Sequence, residues 1–181
     1  MAAIKLAERE LQARSNTLHV LFAALRDGKP RVAVGFGKGA PGGATVLVAK
    51  DGQQSAKPYR DESFRTSVET IRCRYFELWR SSGDNFVILD RAYFTLLEVV
   101  PEDREFRDVL CIHTDPADVN DLKQGPHLHM TCAPGPVSHC HFPLEFGFLN
   151  AVLKDCDSLT AAMQRAISVV AIDVLPAYRD R

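Results

Sequence analysis

Between residues 73 and 142 the chain is a succession of apolar, β-branched and alternating segments separated by short turns, while both of its ends keep helical spacing. This contrast constrains the fold more than any other feature. Strands joined only by a turn pair antiparallel, because a parallel pair needs a crossover of about a dozen residues. Segments 75–80, 86–100 and 106–113 form such a meander, with Ser82, Gly83 and Asp84 as one turn and Pro101 to Asp103 as another. Segment 86–100 is too long for one simple strand, so a bend is expected near Asp90 or Arg91.

At the N-terminal end Ile4, Ala7, Leu11, Leu18, Leu21, Phe22 and Leu25 form a helical stripe that Gly28 and Pro30 stop, with Ser15 and Asn16 available to cap a second short helix. Segments 31–36 and 45–49 predict a hairpin around a glycine-rich loop holding Gly35, Gly37, Gly39, Pro41, Gly42 and Gly43. That loop is not a phosphate-binding loop, because Gly39 follows Lys38 where Ser or Thr is required, and a strand follows where a dinucleotide site needs a helix. Residues 51–63 read as a surface connection and 63–72 as a short helix. Toward the C-terminus 146–153 predicts one helix. Asp157 or Ser158 caps another with Leu159, Ala162, Met163, Ala166, Ile167, Val170 and Val174 on one side, and Pro176 ends it. The expected fold is α+β: one antiparallel sheet of about six to seven strands, flanked on one face by an N-terminal helix and C-terminal helices, with the other face free. A chain of 181 residues carries this as a single domain, 1–181.

The chain is 46% hydrophobic and 25% charged, ordinary for a globular domain with a core. Its 22 Lys and Arg against 23 Asp and Glu exclude a global electrostatic attraction to nucleic acid or anionic membrane. Nucleic-acid contact would need a local patch, for which Arg72, Arg74 and Arg80, or Arg104 and Arg107, are the candidates. Five cysteines, at 73, 111, 132, 140 and 156, lack Cys-x-x-Cys spacing and do not resemble a disulfide framework. Cys111, Cys132 and Cys140 read as small core residues. The first twelve residues lack the apolar run of a secretory signal, and no apolar stretch reaches the roughly 20 residues of a bilayer helix. A cytoplasmic location without membrane contact is expected, with a protein partner or homo-oligomer left open.

Five of the six histidines, His113, His127, His129, His139 and His141, fall within 29 residues, and four of them form two His-x-His pairs. Residues two apart on a strand share a face, so each pair puts two imidazoles on one side and apolar neighbours on the other. Ala133, Pro134, Gly135 and Pro136 supply turn residues that make the two segments antiparallel neighbours. Neutral imidazole suits borderline divalent ions, so His127, His129, His139 and His141 are expected metal ligands, with zinc first and manganese or nickel as alternatives. Asp115, Glu145 and His113 are the expected catalytic residues, as general base, as orienting partner of a ligand imidazole, or as an added ligand. His19, alone on the first helix, reads as an ordinary polar residue.

Residues 124–130, Gln-Gly-Pro-His-Leu-His-Met, resemble the segment of the nucleotide-transferring histidine-triad family in which alternating histidines on a strand include a nucleophile that attacks phosphate. Thr131 stands where that family has its third histidine, so no nucleotidyl intermediate is carried over. The His-x-His pair is also similar to the metal motif of cupin barrels, but the glutamate that follows it there has no counterpart in 131–137. Neither family is assigned. The expected function is a metal-dependent hydrolase of phosphoester bonds, of nuclease or phosphodiesterase type, with a phosphoester or nucleic acid as substrate. The alternatives are a non-catalytic metal- or ligand-binding regulatory module, such as a toxin- or defence-associated partner protein, and a metal-independent ribonuclease using histidines as acid and base. In the last case Arg104 or Arg107 would hold phosphate.

Overall fold

The computed structural model describes residues 4–26, 32–40, 44–52, 62–100, 105–114, 127–131, 139–143 and 155–179, and their side chains except at 32–40, 105, 114, 127–131 and 139–143. In chain order the elements are β1 (Lys5–Ala7), α1 (Leu11–Ala23), β2 (Val32–Ala40), β3 (Ala44–Asp51), β4 (Phe64–Arg65), β5 (Ile71–Ser81), β6 (Phe86–Val100), β7 (Glu105–Thr114), β8 (His127–Thr131), β9 (His139–Pro143), α2 (Cys156–Val169) and α3 (Leu175–Arg179). Among the described residues all strands join one antiparallel sheet in the order β2-β3-β5-β6-β7-β8-β9, with β1 attached to β6 and β4 to β5. The α+β fold with helices at the two ends of the chain is thus as the patterning predicts. The helix expected at 146–153, the turn at 101–103 and most of the connection at 51–63 lie outside the described residues.

One face of the sheet carries the main core. On β5 the inward positions are Ile71, Cys73, Tyr75, Glu77 and Trp79, and on β6 they include Val87, Leu89, Ala92, Phe94 and Leu96, all buried. From α1 Leu11, Leu18 and Phe22 descend onto them, joined by Leu159, Met163 and Ile167 of α2. Phe22 is the centre of an aromatic cluster, with ring centroids 5.3 Å from Phe64, 4.9 Å from Tyr75 and 6.3 Å from Phe94. Inside this apolar layer lies a charge. Glu77, fully buried, accepts hydrogen bonds from Arg14 Nε at 3.1 Å, from Trp79 Nε1 at 2.9 Å and from the Tyr75 hydroxyl. A second Arg14 nitrogen lies 2.5 Å from Glu77, and a third donates to the Thr160 hydroxyl of α2. Burial works to lower the Arg14 pKa, but the Glu77 carboxylate more than reverses this and raises it, so the guanidinium stays charged.

Several local expectations are corrected. The first residues of the helical stripe form β1, whose Leu6 pairs with Val87, and Ser15 and Asn16 lie inside α1 instead of capping a second helix. Free edge positions on β6 outcompete a first helical turn, because they satisfy backbone groups at once. The glycines Gly35, Gly37 and Gly39 belong to β2 itself, facing Val48, Val46 and the Thr45 region, so the hairpin is right and its loop is shorter than predicted. Residues 63–72 are not helical. Phe64 is drawn into the core as part of β4, and the Thr66 hydroxyl donates to the carbonyls of Val68 at 3.1 Å and Ile71 at 2.9 Å, holding a turn.

The irregularity expected near Asp90 or Arg91 is a bulge at Asp90: Leu78 pairs with Arg91 and Trp79 with Leu89, leaving Asp90 as the extra residue. Its buried carboxylate lies 3.0 Å from Arg80 and 3.1 Å from Arg91. At the C-terminus the cap of α2 is Asp155, which accepts from Ser158 N at 2.9 Å, and the helix does not stop at Pro176. A π-helical turn, Val170–Val174, precedes it and lets the helix run on into α3. Proline lacks the N–H an α-helix needs and crowds the carbonyl four residues back, and the wider turn removes both conflicts. The resulting helix of 24 residues, with mean hydropathy 1.4 in its most apolar window, is long and apolar enough by length and composition to cross a bilayer, contrary to the sequence expectation. Here it lays Leu159, Met163, Ile167, Val170 and Leu175 against the sheet core.

The Arg14–Glu77 pair makes a direct prediction. Arg14→Met strands a buried carboxylate and lowers the unfolding free energy by about 3–5 kcal/mol in urea denaturation, whereas a loss below about 1 kcal/mol would mean that water reaches Glu77.

Candidate functional site

Sheet register assembles the histidines. In β7–β8 pairing His113 faces His127 and Cys111 faces His129, and in β8–β9 pairing His129 faces His141, Thr131 faces His139 and His127 faces Pro143. Extended across the sheet this gives two rows: Phe76, Tyr93, His113, His127 and Pro143 in one, and Arg74, Thr95, Cys111, His129 and His141 in the next. Directly opposed residues share a sheet face, as do residues two apart on one strand. All five histidine positions therefore fall on one face, the one turned away from α1 and α2. Positions 128, 130, 140 and 142 take the helix-side parity with Leu110, Ile112 and Phe94. Opposed α-carbons in such a ladder are about 4.5–5.5 Å apart and those two apart on a strand about 6.6 Å, which sets the backbone spacing of positions 127, 129 and 141.

His113 is the histidine of this cluster whose surroundings are described. It lies near the end of β7 in the ladder beside His127, 7% exposed, with its ring edge-on to Tyr93 at 4.6 Å between centroids. Tyr93 in turn packs on Phe76 at 4.9 Å. In the neighbouring row the Thr95 hydroxyl donates to Cys111 Sγ at 3.2 Å. Cys111, expected in the core, stands instead on the histidine face, half-buried. Among the described residues no three His, Cys, Asp or Glu side chains form a group that could hold a metal. The four expected ligands have a described backbone only, and Asp115 and Glu145 lie outside the described residues, as do Cys132 and Arg104.

The face expected to be free is closed over its middle. Val46, Val48, Phe76, Thr95 and Leu97 are all buried there, and β3 is buried from Ala44 through Lys50. The signal was present in residues 44–49, Ala-Thr-Val-Leu-Val-Ala, a continuous apolar run of the kind a strand covered on both faces shows. Tyr93 and Thr95 join the site without having been singled out. Their parity relative to Phe94 and Leu96 marks them as outward, but placing them beside His113 and Cys111 takes the β6–β7 register, with its shift between Leu96 and Leu97.

The expected basic patch is largely neutralised: Arg72 lies 3.0 Å from Asp51, Arg80 pairs with Asp90 and Arg107 with Glu98. Arg74 differs. Its Nε is buried and has no hydrogen-bond partner among the described residues, a loss of about 1–3 kcal/mol for a buried donor. Comparison with known proteins adds no assignment, since no protein-family model, curated protein or solved structure matches the chain.

Two other thiols can be removed from the catalytic candidates. Burial, reinforced by Cys111, pushes the Cys73 thiol well above the ordinary thiol value, and burial pushes Cys156 up to about 11 although Arg14 acts against it. A thiol is nucleophilic only as thiolate, so both are inert near neutrality. In iodoacetamide labelling read by mass spectrometry, Cys156 should label slowly at neutral pH and faster as pH rises toward its pKa. Rapid labelling at neutral pH would refute the assignment.

Proposed function

We propose that the chain is a divalent-metal hydrolase of phosphoester bonds, with His127, His129, His139 and His141 as metal ligands and zinc as the favoured ion. The observation that supports this reading is the β7–β8–β9 register, which sets His129 opposite His141 and His113 opposite His127 on one sheet face. Imidazoles fit borderline divalent ions, and a catalytic centre commonly takes three protein ligands and keeps one position open. A divalent ion there would supply Lewis acidity toward water and the phosphoryl oxygens. Hydrolysis then forms one bond from the water oxygen to phosphorus and breaks the bond from phosphorus to the leaving oxygen. The proton released by water passes through a general base to the leaving alcohol. Asp115 and Glu145 are the candidate bases, and His113, held edge-on by Tyr93, is the candidate to orient a ligand or relay that proton.

A second reading draws on the burial of His113 and of Thr95 in the adjoining row. A structural metal site closes its shell with protein ligands and excludes substrate, so a non-catalytic binding module would also bury this face. The metal-free histidine ribonuclease is the third reading, and it requires activity that survives a chelator. Elemental analysis of protein purified without a histidine tag, with an activity screen on nucleotides and short RNA and DNA, separates the three. His129→Ala and His141→Ala should each lose the metal and the turnover while circular dichroism stays unchanged. Full metal content and activity in both variants would end the shared-site proposal, metal without turnover would favour the binding module, and chelator-resistant turnover would favour the ribonuclease.

A further inference from the structure

We propose that Arg74 is the anion-binding residue of the histidine face, gripping a phosphate group of the substrate. The inference deepens the hydrolase reading and rests on it for the identity of the substrate, but the guanidinium's own environment argues for an anion independently. Arginine stays charged at any physiological pH and offers five donors in a planar fork that matches phosphate oxygens. The other described arginines of the sheet each lie against a carboxylate: Arg65 and Arg72 against Asp51, Arg80 and Arg91 against Asp90, Arg107 against Glu98. Arg74 takes part in none of the ion pairs among the described residues, and its buried Nε donates to nothing there. A half-buried cation that meets no counter-charge among the described residues is a standing cost to the fold, and an incoming oxyanion would remove it.

Position decides which anion. Arg74 heads the row that runs through Thr95 and Cys111 to His129 and His141. Three strand spacings, about 14 Å, separate its α-carbon from that of His129. On its own strand Arg72 is occupied by Asp51 and Ser63, and on β3 Lys50 is paired with Glu62, which leaves Arg74 as the cation without an ion pair on this part of the face among the described residues. Thr95, buried next to it in the row, gives its hydroxyl proton to Cys111 Sγ.

The test uses metal-free full-length protein titrated with inorganic phosphate, with a mononucleotide and with a short oligonucleotide, by calorimetry. Arg74→Gln should weaken phosphate binding about tenfold or more, and Arg74→Lys, which keeps charge but loses the fork, should fall between. Metal content of Arg74→Gln should equal that of the unaltered protein. A preference for the oligonucleotide that disappears in Arg74→Gln assigns the phosphate to a polymer, and equal binding of mononucleotide and oligonucleotide assigns it to a small phosphoester. The proposal is overturned if the metal-free protein binds none of the three probes, or if Arg74→Gln, with an unchanged melting temperature, binds them as well as the unaltered chain. Failure of the metal reading shows separately, as absence of metal from a protein that still binds phosphate through Arg74.

Discussion

A fully buried carboxylate organises this molecule. Glu77 sits in the middle of β5, under both helices, and takes hydrogen bonds from Arg14 of α1 and from Tyr75 and Trp79 of its own strand, while Arg14 reaches on to Thr160 of α2. Two buried charges cost several kcal/mol each to desolvate, and their attraction offsets this only when the geometry is met by every partner. Apolar side chains tolerate sliding of a helix over a sheet. A charge with three fixed donors does not, so the pair sets the register of α1 and α2 on the sheet as well as holding them there. The aromatic cluster around Phe22 then packs in an arrangement already restricted by the polar network.

Once the helices occupy that face, strand alternation sends everything else to the other. The inward set Tyr75, Phe94 and Ile112 requires Phe76, Tyr93 and His113 to be outward, and the same parity carries through β8 and β9 to the remaining histidines. Two bulges switch the alternation within the long strands. Asp90 is the extra residue on β6 against β5, and Val109 the extra residue on β7 against β6. Without the second, Cys111 and His113 would be out of step with the apolar positions before them, since a slip of one residue exchanges the two faces. The grouping of the histidine positions on one face is therefore a consequence of packing on the opposite one.

How much was legible depends on how local the deciding physics is. The β5–β6 turn was readable because Gly83, Asp84 and Asn85 tolerate the positive φ angles, 74°, 46° and 64°, that it needs. The stripe of α2 was readable because Leu159, Met163 and Ile167 repeat at helical spacing on one buried side. Segment 63–72 was not, because the fate of Phe64 depends on a pocket formed by Phe22, forty-two residues earlier in the chain. Nor was β1, since Lys5 to Ala7 has no strand character of its own and acquires it from the edge of β6 that lies opposite β5. The π turn before Pro176 had a local cause but an outcome set by packing: Val170 and Leu175 are both buried, which keeps the helix on the sheet through a residue that ordinarily ends one.

The candidate site divides in the same way. By itself the sequence determined that the histidines come in alternating pairs on extended segments and that each pair shares a face, because those are properties of a strand. Tertiary structure alone decided that His113 lies beside His127, that Cys111 and Thr95 continue the row of His129, and that Arg74 stands at the head of that row without a carboxylate among the described residues. These are facts of register between strands far apart in the chain, and register is set by the packing of whole faces, which no short window of residues contains.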